Sequence, residues 1–585
     1  MKARTAQGKA FTAHDGAELF YRVWPAHCGT PKGAIVLLHR GHEHSGRMEH
    51  LAHELGLPDF AIFAWDARGH GRSPGPRGYS PGAATSVRDI QDFVNHLCES
   101  YGFAEKDIAV VGQSVGAVLA AAWVHDYAPD IRALVLASPA FKIKLYLPLA
   151  RPMLRLARKL RGNFFVNSYV KAKYLTQDPE RIASYEADPL IARPISVGML
   201  LGLNDVSDRI VADAAAIVTP TQLLISGSDW VVEDGPQHTF FERLGSLKKE
   251  RHVFDGFYHD TLGEKDRMLA IDKARAFITD CFAAAPVPPH LIDADKAGYT
   301  RREADRLASP LPAFSLRGLY WKAMRHGLKL GARLSRGLRI GHQAGFDSGR
   351  MLDYVYRNEA SGLTPAGRAI DRNYLNSVGW AGIRQRKVHI EALLHQAMAR
   401  LSADNKPVRV LDIAAGHGRY IIDAVSRSDH RPAAITLRDF DAGNVEAGRR
   451  LIEQQGLGDI ATFDAGDAFD PASYSGLDPQ PTLAVVSGLY ELFDDNEPVQ
   501  ASLDGLAAAV PAGGFFIYTC QPWHPQLELI ARTLTSHREG KPWIMRRRTQ
   551  AEMDQLVAAA GFRKLDQRID EHGIFTVCLA QRISS

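Results

Sequence analysis

The sequence predicts two successive α/β units, each on a mostly parallel sheet, with a helical cap inserted in the first and a helical connector before the second. Three observations predict this. Short, near-continuous apolar runs alternate with helical patterns from residue 33 to residue 284, the same alternation resumes at Pro407, and a breaker-rich stretch, Ala283–Pro289 (AAAPVPP), lies between. Apolar runs without polar alternation fit strands buried on both faces of a parallel sheet. At 585 residues the chain has room for two large domains and a connector.

The first unit draws on five such runs: Gly33–His39, Phe60–Asp66, Asp107–Ser114, Arg132–Ser138 and Thr219–Gly227. Residues from Ala140 to about Leu203 break the alternation and read as the cap. Residues 300 to 400 read as helical only. From Pro407 the strand-like runs are PVRVLDIA, AAITLRDF, IATFDAG, TLAVVSGL and GFFIYTC, and an antiparallel pair is expected around Glu571–Gly573. This is a second doubly wound unit. The expected domains are 1–284, with the cap at about 140–203, a linker at 285–299, a helical connector at 300–400, and the second unit at 401–585.

Composition narrows the function classes. Apolar residues make up 45% and charged residues 23%, which excludes a disordered chain, a collagen and a coiled-coil rod. Five scattered cysteines exclude a disulfide scaffold and suit a reducing compartment. A net charge of +4 argues against a nucleic-acid-binding polycation. The first residues lack the apolar core of a signal peptide, and no run reaches the roughly 18 apolar residues of a membrane span. A cytoplasmic location, with peripheral contact to an anionic inner membrane, is expected.

Gly112-Gln113-Ser114-Val115-Gly116 is a GxSxG motif between a strand-like run and an apolar helical run. That context defines a nucleophile elbow, in which a strained turn lifts the serine hydroxyl clear of the sheet. A serine hydroxyl needs a base and an orienting acid. Asp229 and His259 follow in the expected chain order, each on a loop at a strand end. His252 and His238 lie inside a strand-like and a helical run, and Asp205, Asp208 and Asp234 lack the strand-end position. The oxyanion needs backbone N–H donors, one from Val115 and one from the loop after His39.

HxGxEHSGR at 39–47, AWDARGHGRSPG at 64–75, the elbow, and the Asp and His placements together resemble the monoacylglycerol lipase and lysophospholipase branch of the α/β-hydrolases, over roughly residues 10 to 280. The resemblance implies an α/β-hydrolase fold, a triad of Ser114, Asp229 and His259, and Gly41 as the second oxyanion donor. Glycine usually follows the strand-end histidine in that family; here the residue is Arg40. His39, His42, His44 and His50 read as structural in this loop, and no metal is expected.

From Ile131 to Gln177 there are ten basic residues and no acidic one, interleaved with Leu145, Leu147, Leu149, Met153, Leu154, Phe164 and Phe165. An apolar, cationic lid suits an acyl chain beneath an anionic headgroup, or an anionic membrane surface. Ser315–His342, treated as one helix, gathers Arg317, Lys322, Arg325, Lys329, Arg333, Arg336 and Arg339 in one sector opposite Leu316, Leu319, Tyr320, Ala323 and others. Such a helix docks on a membrane surface or on a neighbouring domain.

In the second unit, Asp412-Ile413-Ala414-Ala415-Gly416-His417-Gly418 follows a strand, where glycines let backbone approach a ligand. Asp439 ends the next strand, placed for ribose hydroxyls, and Asp467 ends the third, placed for an adenine amino group. With QPWHPQLE at 521–528 and RRRTQAEM at 546–553, this set resembles the class I S-adenosylmethionine-dependent methyltransferases, in particular a group of bacterial ones, over about 300 to 582. The resemblance implies S-adenosyl-L-methionine as cofactor, bound through Asp412, Ala414, Gly416, Gly418, Asp439 and Asp467. The first glycine of the usual motif is Ala414 here; a dinucleotide is the alternative ligand, and the expected final antiparallel pair favours methyl transfer. Ser487-Gly488-Leu489-Tyr490-Glu491 lacks the NPPY-type sequence of enzymes that methylate bases, which disfavours a nucleic-acid partner. Tyr490, Glu491 and His524 are placed to face an acceptor or to pack. Thr549–Glu552 is a capping box.

The expected protein is a bifunctional enzyme: an ester hydrolase for lysolipid- or monoacylglycerol-like esters, with no cofactor of its own, joined to a methyltransferase. The alternative is a serine hydrolase of esterase, thioesterase or peptidase type, chemistries the same triad serves, whose second unit is a non-catalytic binding or membrane-docking module.

Overall fold

The structure is a computed structural model that describes residues 4–144, 149–168, 170–312, 314–538 and 540–583. The chain divides into two compact units, Met1–Pro289 and His290–Ser585.

The first unit is built on an eight-stranded sheet. Its strands are β1 (Gln7–Thr12), β2 (Glu18–Trp24), β3 (Gly33–Leu38), β4 (Phe60–Trp65), β5 (Ile108–Gln113), β6 (Ala133–Ala137), β9 (Thr221–Ser226) and β10 (Lys249–Phe254); β7 (Phe165–Asn167) and β8 (Pro194–Ser196) form a separate pair. The order is β1-β2-β4-β3-β5-β6-β9-β10, parallel from β4 to β10. The central strands β3 to β6 and β9 are buried along their whole length, as near-continuous apolar runs require. The antiparallel β1–β2 hairpin has no counterpart among those runs, because β2 (ELFYRVW) starts with every second side chain inward and covers only one face.

The cap comprises a helix at Ala150–Arg161, the β7–β8 pair, a helix at Pro179–Ala187 and the start of a helix at Val197–Ala212. Leu145 and Leu147 lie outside the described residues. The Ala150–Arg161 helix has no buried residue. Leu149, Met153, Leu156 and Leu160 are exposed at helical spacing. Arg151 and Arg155 are paired with Asp208 and Asp205 of the Val197–Ala212 helix, so acids outside the acid-free stretch neutralise part of its charge.

The second unit holds a seven-stranded sheet: β11 (Arg409–Asp412), β12 (Ala434–Asp439), β13 (Ala461–Ala465), β14 (Leu483–Val486), β15 (Phe515–Cys520), β16 (Phe562–Ile569) and β17 (Thr576–Arg582). The order is β13-β12-β11-β14-β15-β17-β16, with β17 antiparallel to both neighbours. Two expectations are corrected here. Residues 290–299 are not a free linker: Leu291 N–H donates to Gln555, and Asn496 bonds both the Ile292 carbonyl and Asp295. The helical residues that follow belong to the same compact unit.

Nor is 315–342 one helix. It is two, Leu316–Gly331 and Arg336–Ala344. Ser335 starts the second by accepting from Leu338 N–H, while Asp371, from the Pro365–Leu375 helix, holds the Ser335 hydroxyl and Gly337 N–H. Part of the basic face turns to protein: Arg317 pairs with Glu528, and Arg325 donates to the Arg532 carbonyl. Leu316, Leu319, Tyr320 and Leu330 are exposed instead. None of the described helices is long and apolar enough to cross a membrane.

The helix Val115–Tyr127, buried along almost its whole length, crosses β3 at Gly116. A Cβ there would stand 2.6 Å from the His39 carbonyl and closer still to that of Leu38, both fixed in the central sheet. Gly116→Ala is therefore expected to cost about 1–3 kcal/mol or more. It should lower the calorimetric unfolding midpoint of the full chain, whereas Gly235→Ala, with nothing within 4 Å of the added carbon, should not. An unchanged midpoint for Gly116→Ala would show that the sheet yields.

Candidate active sites

The turn from β5 into the Val115–Tyr127 helix places Ser114 at φ 55° and ψ −114°, a sparsely populated region for a side chain with a Cβ. Gly112 permits the turn, since a Cβ there would meet Ala117 Cα at 2.9 Å. The strained serine points its hydroxyl at His259, whose Nε2 lies 2.7 Å from Oγ. His259 Nδ1 lies 2.7 Å from Asp229 Oδ2. The other carboxylate oxygen, Oδ1, accepts from the N–H groups of Val231 at 2.7 Å and Val232 at 3.0 Å. Burial alone would raise the Asp229 carboxyl; His259 and these two donors outweigh it and hold it below the usual carboxylate range. The three side chains predicted from sequence spacing thus form one hydrogen-bonded chain across 145 residues.

Gly41 and Val115 face each other: a Cβ on Gly41 would stand 3.1 Å from Val115 Cγ2. Gly41 N–H donates to no protein group among the described residues, and Val115 N–H, first in its helix, has no intrahelical acceptor. Gly41 and Val115 line the same cavity as Ser114 and His259.

The Arg40 departure has a structural cause. Its guanidinium is buried and bonds Glu43 at 2.6 and 3.0 Å and Asp260 at 3.2 Å. Asp260, directly after His259, also accepts from Arg181 Nε at 2.5 Å and Gln113 Nε2 at 2.9 Å. Burial opposes charge on Arg40, Glu43 and Asp260. The opposed charges prevail, holding Asp260 and Glu43 below, and Arg40 above, their usual ranges. Sequence reasoning missed this cluster: Gln113 and Asp260 flank catalytic positions, yet nothing in spacing shows that Arg40 and Arg181 meet them. The loop histidines are bound locally, His39 to the Arg40 carbonyl, His44 to Asp188 and His50 to the Leu262 carbonyl.

Ser114 and His259 open on a cavity of about 650 Å³ with mostly apolar walls, including Ile143, Met153, Leu154, Leu200 and Leu203 from the cap region. Arg40 and His42 line it too, and burial holds His42 down to about 4, in its neutral form.

In the second unit, Gly416 and Gly418 take φ 57° and 71°, and the loop leads into a helix at Arg419–Ser426. Asp439 Oδ2 accepts from Gly416 N–H at 2.8 Å, and its Oδ1 accepts from Asp441 N–H and Asn444 Nδ2. Phe440, beside it, is 81% exposed. Asp412 does not face the ligand space. It is fully buried, accepts from the Tyr420 hydroxyl at 2.5 Å and Ala414 N–H at 3.3 Å, and is pushed up to about 7 by burial. It braces the loop from beneath. Asp467 caps Phe469 N–H at 2.9 Å.

The helix Gly349–Arg357 lies over the glycine loop. Asp353 pairs with Arg419 at 2.5 Å and with His417 at 3.8 Å. Between helix and loop remain about 40 Å³, bordered by Ala414, Gly416 and the unpartnered buried hydroxyl of Ser487. That is room for water and not for an amino-acid-sized group.

The RRRTQAEM string is a structural clamp. Arg546, Arg547 and Arg548 are all buried. Arg546 bonds Glu552, Asn496 and the Asp494 carbonyl; Arg548 bonds the carbonyls of Tyr490, Phe493 and Asp495; Arg547 bonds Glu303 and the Pro522 carbonyl. They fix the loops after β14 and β15. Thr549 caps Glu552 N–H, but the Glu552 carboxylate turns to Arg546 and Asn496 rather than closing a capping box.

Comparison with known proteins fits both halves. Residues 274–582 match the family described as "Putative methyltransferase", and residues 29–266 match the one described as "Serine aminopeptidase, S33". "Uncharacterized protein YnbC" of Escherichia coli (strain K12) is 55% identical over 578 residues, 98% of either chain. A monoacylglycerol lipase of Mycolicibacterium smegmatis is 27% identical over 287 residues, covering 48% of this chain and 99% of that one. Human monoglyceride lipase is 29% identical over 256 residues, covering 42% and 80%. The chain belongs to the family described as "Putative methyltransferase", which its C-terminal half matches, and carries before that half an α/β-hydrolase unit similar to the monoglyceride lipases.

Proposed function

We propose that the first unit hydrolyses lysolipid- or monoacylglycerol-like esters and that the second transfers methyl groups from S-adenosyl-L-methionine to a lipid acceptor. The observation that carries the first part is the Ser114–His259–Asp229 chain opening on a large apolar cavity. Ser114 Oγ attacks the ester carbonyl as His259 Nε2 takes its proton. Asp229 holds the imidazole and balances its charge, and Gly41 and Val115 N–H groups receive the oxyanion. His259 then protonates the leaving alcohol, and water releases the acid by the same route. The acyl chain lies along the cap's apolar walls. Ser114→Ala should cut hydrolysis of a monoacylglycerol by at least about a thousandfold, and Asp229→Asn by about 10⁴-fold, with unchanged circular dichroism. Full activity in Ser114→Ala overturns the assignment.

For the second unit, the donor set supports the cofactor: two glycines in left-handed backbone, the Asp439 carboxylate at the end of β12, and the orphaned Ser487 hydroxyl. Gly416, Gly418 and Asp439 would hold it, and it would supply an electrophilic methyl group. The Gly349–Arg357 helix must withdraw to admit it. A second reading, that this unit is a binding or docking module, is favoured by the same closed loop and by Ala414. Titration calorimetry of the full chain separates them. The proposal expects saturable S-adenosylmethionine binding, weakened at least tenfold by Asp439→Ala; no heat of binding leaves the module reading.

Peripheral membrane contact is proposed from the exposed Leu149, Met153, Leu156 and Leu160 beside Arg158, Lys159 and Arg161. The full chain should sediment with anionic vesicles, less so as salt rises. Leu156→Glu with Leu160→Glu should reduce binding at least fivefold, and Arg333→Glu with Arg336→Glu measures the share of the second unit. No sedimentation of the intact protein overturns this.

A further inference from the structure

The second unit holds another cavity, of about 310 Å³, at the carboxyl ends of β14 and β15. This is within the roughly 300–1,000 Å³ of small-molecule sites. Its walls are apolar, among them Leu328, Leu338, Ile383, Ile530, Trp543 and Phe575. Three charged residues also line it: Asp347, whose carboxylate is taken up by the Ser536 hydroxyl, His537 N–H and the His537 ring, and an opposed pair. Arg386, from the Val378–Ala403 helix, and Glu491, from the loop after β14, have side chains only 3% and 8% exposed, with Nη1 and Oε1 3.9 Å apart.

Each is held in part, Arg386 also by a hydrogen bond to Tyr356. The Thr519 hydroxyl donates to Glu491 Oε1 at 2.7 Å and itself accepts from Gly488 N–H at 2.8 Å. The Arg386 guanidinium stacks over the Phe575 ring. Gly488, at φ 75°, leaves the space the guanidinium needs, since a Cβ there would meet its Nη2 at 2.9 Å. Yet Arg386 Nε, a donor, and Glu491 Oε2, an acceptor, are buried without a partner among the described residues. Leaving both unpaired is costly, and a bound group that pairs them removes the cost.

We infer that this cavity binds an amphiphile, an apolar chain or ring carrying one hydroxyl, which donates to Glu491 Oε2 and accepts from Arg386 Nε. A hydroxyl supplies both roles at once. A carboxylate supplies only acceptors and sets a second negative charge against Glu491; an ammonium supplies only donors and faces Arg386. His524, also lining the cavity, accepts from Gln526 N–H through Nδ1, and burial holds it neutral, so it adds no charge that would select an ion. That the bound hydroxyl is the methyl acceptor rests on the methyltransferase reading above; that the cavity binds it does not.

The test uses full-length protein carrying Ser114→Ala, without S-adenosylmethionine. 12-Bromododecan-1-ol is the probe, because bromine quenches tryptophan and Trp380 and Trp543 line the cavity. Saturable quenching is expected, displaced by 1-dodecanol at least tenfold more strongly than by dodecanoate or dodecylamine. Ile383→Phe, which fills the apolar part, should abolish the quenching phase. Glu491→Gln should weaken binding at least fivefold at an unchanged unfolding midpoint; if that variant misfolds, Ile383→Phe and the headgroup series still decide. Equal displacement by all three headgroups, or quenching that persists in Ile383→Phe, overturns the proposal. Binding of dodecanol without its methylation when S-adenosylmethionine is added supports the site and removes its role as acceptor site. Absence of binding overturns the site whether or not the cofactor binds.

Discussion

The buried cluster of Arg40, Glu43, Asp260 and Arg181 is the constraint on which the hydrolase site depends. Each of the three loops that must converge contributes to it next to a working position: Arg40 before Gly41, Gln113 before Ser114, and Asp260 after His259. A buried ion pair is a poor source of net stability, but breaking one by removing a partner costs about 3–5 kcal/mol. Such a cluster tolerates little rearrangement. It therefore fixes the distances between loops drawn from β3, β5 and the end of β10. The strain at Ser114 needs such support, because a backbone held in a sparsely populated region relaxes unless its surroundings over-determine it.

The second unit solves a similar problem with three consecutive arginines. Arg546, Arg547 and Arg548 divide their donors between side chains and backbone carbonyls of the loops after β14 and β15. Planar guanidinium groups, always charged and rich in donors, can satisfy several carbonyls that a buried loop would otherwise strand. The result is a fixed floor at the switch point of the sheet, where α/β proteins bind ligands. Above it lie two spaces of opposite character: a tight one at the glycine loop, closed by Asp353, and a roomy apolar one at Glu491. A helical segment covers each, so ligand access in this unit is governed by helices rather than by the sheet.

Much of this was legible from residues 33–284 and 407–582. Whole-run burial of the central strands follows from uninterrupted apolar runs, and the triad follows from chain order and strand ends. The β1–β2 hairpin escaped because one-sided burial leaves an alternating, weaker signal. Strand-end carboxylates look alike in sequence, and only burial reveals that the Asp412 side chain turns to Tyr420 beneath the loop. In the 315–342 segment the helical period continues through Ser335, and local periodicity cannot report that Asp371 captures Ser335 and Gly337 and starts a new helix there.

Local and periodic signals in the sequence point to the central strands of both sheets, to Ser114, Asp229 and His259 as a set, and to the glycine loop with Asp439. These are local or periodic properties: a strand followed by GxSxG, or a carboxylate two residues past an apolar run. Only the tertiary structure decided which buried charges meet. Arg40 with Asp260, Arg386 with Glu491 and Asp353 with Arg419 join residues 220, 105 and 66 positions apart. It decided as well that one glycine loop is closed while a neighbouring cavity stays open. Partner choice among buried charges depends on distance and desolvation in the folded chain, and no spacing along the sequence encodes either.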